Sequence, residues 1–80
     1  MSTKQILSPL PGIFYRKPSP DEPNYKNEGD TVAEGDVIGL VEVMKSFHEV
    51  KSDASGTLSA FLVENEGAVQ AGQSLAEVDG

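Results

Sequence analysis

The feature that most constrains the fold of this chain is a duplication, because the second half of the sequence repeats the plan of the first. Residues 52–56, SDASG, follow the pattern of residues 8–12, SPLPG. Residues 65–67, NEG, repeat residues 27–29. Each copy consists of short β-prone runs separated by glycine turns, which indicates strands rather than helices. Two such copies favour two similar β-sheets packed face to face about an approximate two-fold axis.

The first copy contains an insertion. Gly12 and Gly56 are 44 positions apart, whereas Gly29 and Gly67 are 38 apart, so the first copy holds about six more residues. These residues fall within residues 16–27, RKPSPDEPNYKN, which contain three prolines. Because proline lacks a backbone N–H and has a fixed φ, this segment cannot be a central strand or a helix interior. We predict a Pro-rich loop at about residues 16–27, inserted into a duplicated scaffold.

Composition excludes several classes of function. The 80 residues predict a single domain, residues 1–80, near the lower size limit for a stable core. The sequence has no cysteine and one histidine, His48, which leaves no residues for thiolate or paired-histidine metal sites and argues against a Ser-His-Asp triad. We predict no metal site.

Charge and hydropathy limit the partners and the location. The formal net charge of -7 repels the phosphates of nucleic acids and anionic lipids. No apolar run is long enough to span a membrane, and residues 1–5 carry no apolar signal core. We therefore expect a cytoplasmic protein that binds neither nucleic acid nor membrane.

The junction between the copies is Met44-Lys45. The β-prone runs at residues 37–43 and 47–50 leave so few residues between them that the junction is either a tight hairpin or part of a helix. Apolar residues at steps of three or four match one helix face; they are Val41, Met44, Phe47, Val50 and Ala54.

The hairpin is favoured over the helix. The segment lacks a clear N-cap and carries β-branched valines, and it lies between copies of a strand-rich repeat. A two-residue turn at Met44-Lys45 predicts three cross-strand pairs. They are Val43 with Ser46, Glu42 with Phe47, and Val41 with His48.

A Met-Lys dipeptide is an unfavourable hairpin turn. Two-residue loops usually need positive φ at both central positions, which Asn-Gly accepts and Met or Lys adopts at a cost. Such strain points to function. Lys45 on an exposed tip has neither the burial nor the neighbouring cation that activates a catalytic lysine. We therefore interpret Lys45 as a handle that another enzyme acylates, and we predict no catalytic residue; the simplest alternative is an ordinary surface lysine.

At this point the sequence resembles a known family. Glu42-Val43-Met44-Lys45 inside a two-copy β-scaffold is similar to the attachment site of the biotinyl/lipoyl carrier domains, and residues 14–21, FYRKPSPD, resemble the start of the protruding thumb of bacterial biotin carboxyl carrier proteins. The resemblance extends from about Ile6 to Val78. It implies an all-β fold, a flattened β-barrel or sandwich of two four-stranded antiparallel sheets with quasi-two-fold symmetry.

The resemblance also implies a function. Biotin would be joined by an amide bond to Nζ of Lys45 by a biotin protein ligase. The swinging arm would then shuttle a carboxyl group from a biotin carboxylase to the carboxyltransferase of an acetyl-CoA or related acyl-CoA carboxylase, as in fatty acid biosynthesis. Such a carrier is not itself an enzyme, since it contributes effective concentration rather than catalysis.

The resemblance assigns residues to the cofactor site. Met44 and Glu42 match the methionine and the acidic residue beside the family's lysine, whereas Val43 replaces a small residue and Ser46 replaces a methionine. The thumb residues that the resemblance places over the biotin are Pro18, Ser19, Pro20 and Asp21. Outside this set we interpret His48 as a strand residue, and Tyr15 and Tyr25 as anchors of the Pro-rich loop.

Two other functions stay open. The same fold serves lipoyl carrier domains of 2-oxoacid dehydrogenase complexes, although these tend to have aspartate where this chain has Met44, and the Pro-rich loop also argues against them. The second alternative is an unmodified docking module. The short sequence before the first strand is that of a free-standing small carrier or of an excised domain.

Overall fold

The computed structural model describes residues 3–80, which form eight β-strands and no helix. The first two residues of the predicted 1–80 domain lie outside the described residues. The strands are β1 Thr3–Leu7, β2 Gly12–Tyr15, β3 Thr31–Val32, β4 Val37–Val43, β5 Ser46–Lys51, β6 Gly56–Phe61, β7 Gly67–Val69 and β8 Ser74–Asp79. No helix long and apolar enough to cross a membrane occurs in residues 3–80.

The strands form two four-stranded antiparallel sheets, which confirms the predicted fold. One sheet has the order β1-β8-β6-β3 and the other has the order β5-β4-β2-β7. Strands β1 to β4 of the first copy are equivalent to strands β5 to β8 of the second. Exchanging each strand with its equivalent converts one order into the other. The approximate two-fold axis therefore exchanges the two sheets, and the assembly is a sandwich rather than a closed barrel.

The core lies between the sheets and is built equally from both copies. Phe14 on β2 and Leu58 on β6 occupy equivalent positions, and both are fully buried. Each pairs with a buried valine of the neighbouring strand, Val41 and Val78 respectively. Burying a side chain of this size contributes about 1.5–3 kcal/mol, so a few such residues hold a small domain together.

Gly39 shows how the two copies adjust to different side chains. A Cβ atom added to Gly39 would lie 2.5 Å from Cε1 of Phe14 and 2.7 Å from the carbonyl oxygen of Tyr15. The equivalent position in the second copy is Ala76, which is fully buried where the smaller Leu58 replaces Phe14. The larger aromatic ring in the first copy therefore requires glycine on the adjacent strand.

Two buried serines turn the chain from one sheet to the other. The hydroxyl of Ser8 donates a hydrogen bond of 2.6 Å to the carbonyl of Leu10, and the hydroxyl of Ser52 donates one of 2.6 Å to the carbonyl of Ala54. Their backbone N–H groups donate to the equivalent residues Gln73 and Asp36, both at 2.8 Å. The two corners are therefore built alike, and each buried hydroxyl has a partner.

The connection between β2 and β3 contains the Pro-rich loop and no strand. Its root is closed by the N–H of Tyr25, which donates to the carbonyl of Arg16 at 2.9 Å. The guanidinium of Arg16 lies 4.0 Å from the centre of the Phe61 ring. At the far end of the loop, Nζ of Lys26 lies 3.5 Å from a carboxylate oxygen of Asp36. The loop is thus fastened to the sandwich at both ends.

Candidate functional site

The tight hairpin is present, and its register is the predicted one. Val43 pairs with Ser46, and the next pairs along the hairpin are Glu42 with Phe47 and Val41 with His48. The helical alternative for this segment is therefore wrong, because its apolar residues alternate across two strands. Met44 and Lys45 alone form the turn.

Both turn residues have the backbone conformation that a two-residue hairpin needs. The φ angles are 50° at Met44 and 69° at Lys45, in the left-handed region that side chains with a Cβ seldom occupy. The left-handed conformation costs about 1–2 kcal/mol per non-glycine residue. The cross-strand pairs and the core contacts of β4 and β5 therefore hold two strained residues at the tip.

The tip is fully open to solvent. Met44 is 93% exposed, and Lys45 and Ser46 are also exposed. Within the described part of the chain, no acidic group forms an ion pair with Nζ of Lys45. The amine is therefore accessible to a large partner from several directions.

Beside the hairpin lies a groove of about 560 Å³, between the outer face of the second sheet and the Pro-rich loop. Its floor is formed by Tyr15, Glu42 and Phe47, which lie on three adjacent strands. The remaining lining residues come from the loop and from the connection before β7, and they are Lys17, Pro18, Ser19, Pro20, Asn65 and Glu66.

Tyr15 connects the floor of the groove to the hairpin. Its hydroxyl donates a hydrogen bond of 2.9 Å to Oε1 of Glu42. Its ring centre lies 6.1 Å from that of Phe47, with a tilt of 55°. The hydrogen bond to the Glu42 carboxylate, followed by partial desolvation and the charges of Glu42 and Glu66, raises the pKa of Tyr15 above its usual value. The phenol thus stays protonated and able to donate.

The structure divides the residues that the sequence assigned to the cofactor site. Pro18, Ser19 and Pro20 line the groove together with Glu42, whereas Asp21 is exposed and lies outside the lining. Val43 is half-buried and packs against the core. The other three, Met44, Lys45 and Ser46, form the tip rather than the groove.

Sequence reasoning missed the two aromatic rings of the groove. The sequence indicates Tyr15 only as an anchor of the Pro-rich loop, and Phe47 only as a cross-strand partner of Glu42 or as part of the apolar face of the helical alternative. The signal for Phe47 is its predicted pairing with Glu42, which places both side chains on one face of the hairpin next to the tip, where Phe47 is 57% exposed. The contact of Tyr15 with Glu42 spans 27 positions and has no local sequence signature.

His48 and Tyr25 have no part in the groove. His48 is exposed on β5, opposite Val41. Tyr25 is half-buried at the end of the Pro-rich loop, where burial, followed by the charges of Glu49 and Glu22, raises its pKa. Both positions agree with the structural roles expected for these residues.

Across residues 3–80 the structure contains no group of three or more acidic, histidine or cysteine residues placed to bind a metal ion. What the site offers is one exposed primary amine on a strained tip and an aromatic groove beside it. This arrangement can present a covalently attached group to other proteins.

Comparisons with known proteins agree with this geometry. A family model described as biotin-requiring enzyme matches residues 4–78. The biotin carboxyl carrier protein of acetyl-CoA carboxylase from Chlamydia trachomatis is 46% identical over 70 residues, which cover 88% of this chain and 43% of that protein. The corresponding protein of Pseudomonas aeruginosa is 39% identical over 70 residues, covering 88% of this chain and 45% of that one.

The fold is also similar to part of a much larger enzyme. The crystal structure of urea carboxylase from Kluyveromyces lactis matches with a TM-score of 0.79 at 25% identity, over 99% of this chain and 6% of the enzyme. The chain spans less than half the length of the two carrier proteins that it resembles.

Proposed function

The chain belongs to the biotin/lipoyl attachment family, whose model it matches from residue 4 to residue 78, and from this premise we propose that it is a biotin carrier domain with the cofactor on Lys45. The observation that carries the proposal is the hairpin tip. Two non-glycine residues at positive φ hold the lysine at the outermost point of the sandwich, where it forms no ion pair with the described residues.

The residues at the tip fit an amide-linked cofactor. Attachment needs a primary amine that an acylating enzyme can enclose from several sides, and the exposed Lys45 between exposed Met44 and Ser46 meets this need. Biotin, when attached, supplies a ring that takes up and surrenders a carboxyl group. The groove floor and the loop residues Pro18 and Pro20 offer apolar surface next to the hairpin.

The proposed role of the complete protein follows the carriers that the chain resembles. The arm on Lys45 would move a carboxyl group between a biotin carboxylase and a carboxyltransferase, with an acetyl-CoA or related acyl-CoA as the acceptor. The domain would contribute tethering, which raises the effective concentration at both sites, and no catalytic group of its own. A biotin protein ligase would be the third partner. We propose a cytoplasmic location because bacterial carriers of acetyl-CoA carboxylase are among its relatives, and its charge of -7 disfavours nucleic acid as a partner.

Intact-mass measurement tests the attachment. Wild type and the variants Lys45→Arg and Lys51→Arg are incubated with biotin, ATP and a biotin protein ligase. We expect one biotinyl group on wild type and on Lys51→Arg, which removes another exposed lysine at the end of β5, and none on Lys45→Arg. Unmodified wild type, or biotin retained by Lys45→Arg, would refute the proposal.

A parallel incubation separates the two alternative functions. Lipoate ligase with lipoate and ATP replaces the biotin reagents, and lipoylation of Lys45 without biotinylation would reassign the domain to the lipoyl carriers. If neither ligase modifies Lys45 while deletion of residues 16–27 abolishes a partner complex, the domain is a docking module.

A further inference from the structure

We propose that Tyr15 is a positioning residue that holds the Glu42 carboxylate away from Lys45, so that the lysine amine stays free for acylation. The inference rests on the proposed function and deepens it, because it assigns the feature that keeps the acceptor amine available. An exposed lysine on a hairpin does not require the hydrogen bond from Tyr15 to Glu42, and neither does the groove.

Glu42 and Lys45 lie on the same hairpin, close to its turn. Glu42 lies three positions before Lys45, in the second cross-strand pair below the turn. Two long, flexible side chains near a two-residue turn can meet, and a half-buried carboxylate and an exposed ammonium attract each other. Within residues 3–80 no such ion pair forms.

The sheet order explains why the pair does not form. β4 lies between β5 and β2, and the turn leads from β4 into β5. Tyr15 is on β2, so its hydroxyl, 2.9 Å from Oε1 of Glu42, draws the carboxylate toward the strand opposite to β5. The ring of Phe47, 6.1 Å from that of Tyr15, packs on the same outer face.

The second copy indicates that the arrangement belongs to the hairpin rather than to the scaffold. The position equivalent to Tyr15 is Ser59, whose hydroxyl donates to the backbone carbonyl of Glu77 at 3.2 Å. The residue equivalent to Glu42 is Asp79, which accepts a hydrogen bond from Thr3. The fold therefore does not need a tyrosine at this point, and the aromatic donor occurs only beside the lysine.

A free amine matters because acylation uses the neutral form. An ammonium that is paired with a carboxylate loses its proton less readily, and the acyl group can be transferred only to the amine lone pair. The other charged groups around the hairpin are Lys17 and Glu66 at the groove, and His48 and Glu49 on β5. Of these carboxylates, neither Glu66 nor Glu49 is paired with Lys45.

Chemical acylation tests the proposal without any ligase. The reagent is an N-hydroxysuccinimide ester of acetate, and the readout is the ratio of acetylation at Lys45 to that at Lys51, measured by peptide mass spectrometry across pH. In the reaction the amine attacks the ester carbonyl, the amide bond forms as the bond to N-hydroxysuccinimide breaks, and the ammonium proton passes to buffer. Lys51 is exposed on β5 and its Nζ lies 3.9 Å from a carboxylate oxygen of Glu49, an ion pair that none of these substitutions touches, so it corrects for reagent and pH.

Tyr15→Phe keeps the ring and removes the hydroxyl. We expect the Lys45 to Lys51 ratio near neutral pH to fall about two- to five-fold, the range that one exposed ion pair can supply. The pH of half-maximal labelling at Lys45 should move upward by a corresponding amount. Glu42→Gln alone should leave the ratio close to that of wild type, because the carboxylate is already held away.

The double variant Tyr15→Phe/Glu42→Gln decides whether Tyr15 acts through Glu42. We expect it to recover the wild-type ratio and pH profile, since no carboxylate is left to capture the lysine. An unchanged ratio in Tyr15→Phe would overturn the proposal. A ratio in the double variant as low as that in Tyr15→Phe would also overturn it. Circular dichroism and the thermal midpoint show that each variant is folded.

The two hypotheses can fail separately. If a ligase does not biotinylate the wild type but the acetylation ratios behave as expected, the positioning role of Tyr15 stands and the biotin carrier function does not. If biotinylation occurs but Tyr15→Phe has no effect on either the ratio or its pH profile, the carrier function stands and Tyr15 is only a packing residue.

Discussion

The two ends of the sandwich hold equivalent residues in unlike surroundings. At one end Glu42 pairs with Phe47 and accepts a hydrogen bond from Tyr15. At the equivalent positions of the other end, Asp79 pairs with Thr3, whose hydroxyl donates to the carboxylate at 2.7 Å. A carboxylate is satisfied in both places. Among residues 3–80, only the first end also has aromatic side chains, a groove and a turn that joins the two strands.

The difference shows where the duplicated scaffold is constrained and where it is free. The interior keeps its pattern, as the corners at Ser8 and Ser52 and the matched core residues Phe14 and Leu58 show. The outer face changes from Ser59 and Thr3 in one sheet to the aromatic residues Tyr15 and Phe47 in the other. The proposed function therefore lies where the two copies differ, at the end that carries Lys45.

The largest expected effect is on the free energy of unfolding. It tests how the two copies accommodate core side chains of different size. Gly39→Ala would force a methyl group against the Phe14 ring and the Tyr15 carbonyl, and we expect it to lower the free energy of unfolding by about 1–3 kcal/mol. Phe14→Leu/Gly39→Ala recreates the Leu58 and Ala76 combination of the second copy. We expect this double variant to recover part of the loss in urea titrations, and a double variant less stable than the sum of its single variants would break the comparison.

The serine corners should respond alike. Ser8→Ala and Ser52→Ala each remove a buried hydroxyl donor and leave a carbonyl without its partner, at a cost of about 1 kcal/mol each. Ser52 also accepts a bond of 3.2 Å from the N–H of Ala54, so its loss should be slightly larger. Denaturant midpoints of both variants measure this, and a severe loss at only one corner would contradict the equivalence.

Glycine in the hairpin turn should raise the free energy of unfolding, whereas glycine in a strand should lower it. Met44→Gly relieves one positive φ, but glycine adds freedom to the unfolded chain, so we expect a net gain of only about 0.5 kcal/mol. Ser46→Gly, at the first position of β5, serves as the control and should destabilise. A loss of stability in Met44→Gly by the thermal midpoint would mean that the turn is not strained.

The smallest expected effect is on the stability of the domain at acidic pH. Asp36 and Gln73 occupy equivalent positions, and each accepts a hydrogen bond from the N–H three residues before it, at 2.9 Å. The N–H of Ala33, followed by the charge of Lys26, lowers the pKa of Asp36 below its usual 3.8. The stabilisation is therefore present above that usual value and is lost as the pH falls through the lowered one.

Replacing Asp36 makes the first copy like the second. We expect Asp36→Gln to reduce the difference between the thermal midpoints at pH 7 and pH 3, because the amide accepts the same hydrogen bond at both. Gln73→Glu should enlarge that difference. Equal differences in wild type and Asp36→Gln would show that this carboxylate does not contribute to acid sensitivity.

The sequence predicted the fold well because the fold repeats. Glycine turns and short β-prone runs in two copies specify the strands, and the Met44-Lys45 junction determines the hairpin register, since a shift by one residue would expose Val41 and Val50. The Pro-rich loop could be located from the unequal spacing of glycines. All these signals are local or periodic.

The groove could not be predicted in the same way. Tyr15 reaches Glu42 across the sheet, and only the pairing of β2 with β4 brings them together. The path of a loop with three prolines depends on tertiary contacts, such as Arg16 on Phe61, so Asp21 could not be distinguished from its neighbours. The two buried serines were visible as part of the repeat, but their hydrogen bonds were not.

The pairing of Thr3 with Asp79 has a consequence for how the domain can be joined to another protein. Pro9 and Leu10, just after β1, lie beside Phe47 and His48, so Thr3 and Asp79 are at the end of the sandwich away from the lysine. Because the two positions are neighbours, the domain can be spliced as a cassette into a surface loop of a host protein. Both junctions would then form a single stalk at the end of the sandwich away from Lys45.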